Sequence, residues 1–183
     1  MALLSLQGVS LAFGGPPVLD GAHFAVERGE RVCVLGRNGA GKSTLLSVLE
    51  GTQRPDAGTV VRQGQLSVAR LEQALPEGLA GTLFEVAAEG IGPAGALLAR
   101  YHAAARRAGA DGTPQALQEL DRLHRALDAA QGWGAEQRVA AVLQQLGLDP
   151  EARIEHASGG RTRQALLARA LVRAPDVLLL DEP

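Results

Sequence analysis

Eight consecutive residues carry the first chemistry. Gly36-Arg37-Asn38-Gly39-Ala40-Gly41-Lys42-Ser43, with Thr44 behind them, has the spacing of a glycine-rich phosphate loop. Glycines let the backbone turn so that successive N–H groups converge on anionic oxygens. A helix starting at the loop adds its positive end. Lys42 is placed to reach the outer phosphates, and the Ser43 hydroxyl suits Mg²⁺. The bland alternative is a glycine-rich turn that happens to hold a lysine. Lys42 is the only lysine among 18 basic residues, the rest being arginine. That bias reads as coding preference, and a compact ammonium on a flexible stem serves phosphates where a planar guanidinium fits badly. A second group stands at 181–182, where Asp181 and Glu182 follow an apolar run. Asp181 suits water-mediated Mg²⁺ contact, and Glu182 is placed to polarise an attacking water. Taken alone, the pair reads equally as a solvated acidic turn.

These groups need elements to hold them. Residues 31–35 form a continuous apolar run, expected as a strand buried on both faces, with Cys33 an inert small hydrophobe inside it. A helix is expected over 44–49 and strands over 58–70. Residues 177–180 read as a second buried strand, which puts Asp181 and Glu182 at a strand's carboxyl end, where open α/β sheets bind ligands. Between these parts the chain is alanine-rich with helical spacing. Residues 94–108 and 115–131 read as a helical hairpin, with Thr113 capping the second helix ahead of Pro114 and a stripe of Leu117, Leu120, Leu123 and Leu127. A further helix is expected over 160–173. The result is an α/β chain.

Composition sets outer bounds. The 183 residues are 46% apolar, enough for a core, which excludes a wholly disordered chain. No apolar run approaches the roughly 20 residues that span a bilayer. The first ten residues lack a basic segment followed by a long apolar one, so they do not read as a signal peptide. A net charge of −2 gives no global field for nucleic acid. One cysteine excludes an internal disulfide and fits a reducing compartment.

A third motif lies between the two anchors. Ala157-Ser158-Gly159-Gly160-Arg161 opens the helix expected over 160–173, shortly before the carboxylate strand. Ser158 is by itself a good N-cap. With the phosphate loop and Asp181-Glu182 at this spacing, the turn resembles the signature of the ATP-binding cassette superfamily. Finer likeness is to the ABC-F family and its Uup-like branch. It is carried by residues 30–44, 68–73, 86–91, Arg100-Tyr101-His102 and 144–150.

The resemblance covers essentially the whole chain. It implies a P-loop NTPase cassette with an antiparallel β subdomain, a core parallel sheet, and a helical subdomain carrying an inserted arm-like hairpin. Within 1–183 it implies a β subdomain and phosphate-loop core over 1–80 and a helical subdomain over 81–157, with the arm about 94–131. Residues 158–183 would hold the signature helix and second carboxylate strand. It further implies a cytoplasmic protein of two tandem cassettes, with this chain the N-terminal part of the first and the second cassette its partner in cis, and ATP with Mg²⁺ as ligands. Hydrolysis would drive a conformational switch on the ribosome, RNA or branched DNA, with negligible turnover by this chain alone. Two readings compete: the nucleotide-binding domain of a membrane transporter, and a module that binds ATP without turnover.

The resemblance also assigns residues. Phe13 corresponds to the aromatic that stacks on adenine, although a strand Phe is by itself more often core. Gln73 corresponds to the glutamine that contacts Mg²⁺ and water. Gly36 to Thr44 would hold the phosphates, with Ser43, Gln73 and Asp181 on the metal side and Glu182 and Lys42 catalytic. Ser158, Gly159 and Gly160 would face the nucleotide of the other cassette. Ala157 and Arg161 depart from the usual leucine and glutamine of the signature. His23, His102, His124 and His156 read as structural or solvated, and Trp133 as a packing anchor. Arg100, Arg106, Arg107, Arg122 and Arg125 make the hairpin either a solvated face balanced by acids or a surface for RNA phosphates.

Overall fold

The computed structural model describes residues 2–71, 76 and 78–181. They form two compact units: one runs through Arg70 and resumes at Pro175, and the other is Leu71–Ala174.

The first unit is built on β1 (Ala2–Leu11), which pairs antiparallel with both β2 (Leu19–Glu27) and β3 (Ala57–Arg62). Leu4 and Leu6 of β1 are buried, and so are Val9 and Leu11 beyond a register shift. Side chains alternate along a strand, so even and odd positions should lie on opposite faces. Gly8, at φ 60, sits at the shift and returns Val9 and Leu11 to the core. Helix α1 (Lys42–Glu50) closes this core with Val48 and Leu49. Arg62 of β3 donates to the Leu49 carbonyl at 3.0 Å, satisfying a C-terminal acceptor of that helix. A second sheet joins β4 (Val68–Leu71) to β5 (Val177–Leu180), and Leu179 reaches the same core.

One expected strand is missing. Residues 31–35 form neither strand nor helix, Leu35 is 87% exposed and Cys33 is exposed. The expectation of a buried strand with an inert thiol is corrected here. An apolar run becomes a strand only where its N–H and C=O groups find a ladder. The two described sheets, β2-β1-β3 and β4-β5, offer it none.

The second unit is helical: α2 (Leu83–Ala88), α3 (Pro93–Asp111), α4 (Pro114–Ala129), α5 (Gly134–Gln145) and α6 (Gly159–Leu171). Its core gathers Leu83, Phe84, Leu98, Leu127, Val139 and Leu143 with Ala165 and Val172. The hairpin forms as α3 and α4, with the Thr113 hydroxyl accepting from the Ala116 N–H at 3.3 Å. Of the leucine stripe, Leu123 and Leu127 are buried while Leu117 is 53% exposed. The start of α4 therefore stands clear of the core. Trp133 packs against that core and donates its indole N–H to Asp128 at 2.6 Å. Among the described residues, no helix is long and apolar enough to cross a membrane.

Candidate functional site

The phosphate loop and α1 lie in the first unit. Gly41 precedes α1 in a left-handed conformation, φ 88, which a side chain rarely adopts. A Cβ there would come 2.6 Å from Val18 Cγ1. Since Gly41 has no side chain, the first N–H groups of α1 receive no side-chain cap among the described residues, and no acid stands in its first turn. Lys42 bends back along the loop and donates through Nζ to the Gly36 carbonyl at 2.9 Å and the Arg37 carbonyl at 3.1 Å. Uncapped N–H groups and an ammonium at a helix start are both unfavourable to the helix alone, and both suit an anion.

Asp181 follows β5 and is buried, 6% exposed. Its position is set by the β4–β5 pair, which is fastened at one end by Asp176 and Ser67. The Ser67 N–H and hydroxyl donate to the Asp176 carboxylate at 3.1 and 3.0 Å. These two bonds, then Arg28, hold that carboxyl below its ordinary range. At the other end, Ser43 Oγ donates to Asp181 Oδ1 at 3.1 Å. The hydroxyl and the carboxylate, distant in sequence, thus meet. Both are hard oxygen donors, of the kind Mg²⁺ takes beside phosphate and water, so these residues fit that ion.

The other Asp181 oxygen is taken by a residue the sequence reading did not single out. Arg70 of β4 donates to Oδ2 at 2.7 Å, and to Ser47 Oγ at 2.8 Å through its other terminal nitrogen. Ser47 Oγ in turn donates to the Ser43 carbonyl at 2.9 Å. The available signal was an arginine between Ala69 and Leu71, both of which are buried, so that its side chain leaves on the other face of β4.

Phe13 lies beyond the end of β1 and is 63% exposed, so it is not a core residue. Thr44 is half-buried within α1. Arg37, Asn38, Gly39 and Ala40 are exposed. Gln73 and Glu182 lie outside the described residues. Ser158, Gly159 and Gly160 belong to the second unit. There the Ser158 hydroxyl caps α6 by accepting from the Arg161 N–H at 3.4 Å, and both glycines are exposed. The Arg161 guanidinium turns away to the Gly147 carbonyl at 3.1 Å, behind the C-terminal end of α5.

The sequence model of the family described as ABC transporter matches residues 19–183. The chain belongs to this family of ATP-binding cassettes. It is 44% identical over 183 residues to the ATP-binding protein Uup of Escherichia coli (strain K12), covering all of this chain and 29% of that relative. It is 30% identical over 182 residues to the energy-dependent translational throttle protein EttA of Mycobacterium tuberculosis (strain CDC 1551 / Oshkosh), covering 99% of this chain and 33% of that one. The chain therefore spans about a third or less of these relatives. A nucleotide-free ATP-binding cassette from an ABC transporter shares the fold, with a TM-score of 0.68 at 22% identity over all of this chain and 70% of that chain. The P-loop cassette architecture is thus established, and cassettes of this family bind ATP, generally with Mg²⁺.

Proposed function

We propose that this cassette binds Mg–ATP at residues 36–44 and, within a two-cassette protein, takes part in hydrolysis that drives a conformational switch on a ribosome or nucleic acid. The observation that carries the binding is the meeting of Ser43 and Asp181 beside Lys42 and an uncapped helix start. Loop N–H groups and Lys42 would hold the phosphates. Lys42 would exchange its two carbonyl partners for phosphate oxygens, a charge-assisted and stronger contact. Ser43 and Asp181 would hold Mg²⁺, with Gln73 joining them; when bound, the ion neutralises phosphate charge. Phe13, exposed and unclaimed by the core, is available to stack on adenine. Glu182 would polarise the water that attacks the γ-phosphate, so catalysis consists of positioning and charge stabilisation.

The second cassette would close this site, and the exposed Ser158-Gly159-Gly160 turn would serve the site of the other cassette. This chain alone would bind nucleotide with negligible turnover. The ribosome reading is supported by likeness to a translational throttle protein, and by α3–α4 as an arm whose distal end stands clear of its core. A cytoplasmic location accompanies it. The test is nucleotide affinity of the intact parent protein. Lys42→Ala should weaken ATP binding by about 100-fold or more, the loss of two or more charge-assisted hydrogen bonds. Unchanged binding would remove the assignment.

A further inference from the structure

Arg70 holds the buried Asp181 carboxylate at the place where a divalent ion would arrive. Each Asp181 oxygen already has one partner, Ser43 Oγ on Oδ1 and Arg70 on Oδ2. A buried carboxylate with no counter-charge is costly, so the guanidinium satisfies the site when metal is absent. Once a divalent cation joins the same carboxylate, the two positive charges repel at short range through a poorly solvated medium. Arg70 also has somewhere to go. Its side chain is 11% exposed, and Glu50 Oε2 on α1 lies 3.6 Å from its other terminal nitrogen, beside the Ser47 hydroxyl. Its Nε is buried and has no hydrogen-bond partner among the described residues, so the present pose leaves one donor unsatisfied by them.

We propose that Arg70 sets the divalent-metal affinity of this site, standing in as the Asp181 counter-ion without metal and opposing the ion that replaces it, while Glu50 draws it the other way. This rests on residues 36–44 being the Mg–nucleotide site. Arg70 is a positioning residue in this scheme and touches no nucleotide.

The experiment uses the intact parent protein with saturating ADP and titrates Mn²⁺, followed by its electron paramagnetic resonance signal. Arg70→Gln should tighten Mn²⁺ binding by about tenfold, as expected when one positive charge leaves a partly buried site. Glu50→Gln should move it the other way, weakening Mn²⁺ about threefold, because Arg70 then loses its alternative partner. A role confined to holding Asp181 in place predicts weaker metal binding in Arg70→Gln, and that result, or no change, overturns the proposal. If Arg70→Gln does not fold, Glu50→Gln decides alone, and tighter or unchanged Mn²⁺ binding overturns it. Lys42→Ala separates the two levels. If it binds ADP as the unmodified protein does, the nucleotide site itself has been misread. If it loses ADP while Arg70→Gln fails to tighten Mn²⁺, only the role of Arg70 falls.

Discussion

Helices α1 and α2 begin in opposite ways. At α2, the Thr82 hydroxyl accepts from the Glu85 N–H while the Glu85 carboxylate accepts from the Thr82 N–H at 2.7 Å, a reciprocal capping box buried in the helical unit. Glu85 also takes Arg106 of α3 at 2.6 Å. One residue earlier, the Gly81 N–H donates to Glu155 at 3.1 Å. At α1, a glycine replaces the cap, no acid follows, and a lysine stands first. The α2 start is closed by its own protein, so its free energy goes into stability. The α1 start has no such closure, at a cost to the isolated helix, and under the proposed function the gain comes when an anion arrives.

Three changes would sharpen or break this contrast, beyond the loss of nucleotide expected from Lys42→Ala. The largest is Gly41→Ala, which forces a left-handed residue and a 2.6 Å approach to Val18. It should cost about 2 kcal/mol in urea unfolding and impair nucleotide binding along with it. Retention of both would mean that the left-handed turn is dispensable. Next, Thr82→Ala removes one half of the capping box and should cost about 1 kcal/mol of unfolding free energy while leaving nucleotide affinity as it was. A change in affinity instead would show that the two starts are not independent. The smallest effect concerns acid. Glu155 is lowered from 4.5 to about 2, first by its own backbone N–H, then by the Gly81 N–H and by Arg153. A carboxyl lowered on folding contributes its full stability above the unfolded value of 4.5 and loses it as pH falls through about 2. Unfolding measured between these values should show Glu155→Gln flattening the acid slope. An unaltered slope would mean that Glu155 adds nothing at the α2 start.

Much of this was legible along the chain. The loop, the Thr113 and Ser158 caps, the hairpin and the strand 177–180 are local patterns, and each formed where its residues indicated. Arg70 was not legible, because nothing in its neighbourhood says that Ser47, Glu50 and Asp181 will surround it. Leu117 shares the spacing of Leu123 and Leu127, but periodicity marks a helix face and does not say how far along that face the core extends.

The two apolar runs mark the boundary between the two kinds of knowledge. Residues 31–35 and 177–180 are alike in composition, yet only the second is a strand. Sequence by itself determined the loop's backbone freedom, the single lysine at the start of α1 and the helix caps, because these depend on residue type and on neighbours within a few positions. Tertiary structure alone decided which apolar run found a ladder, and that an arginine would share the carboxylate that meets Ser43. Those outcomes depend on hydrogen-bond partners and counter-charges supplied from distant parts of the chain.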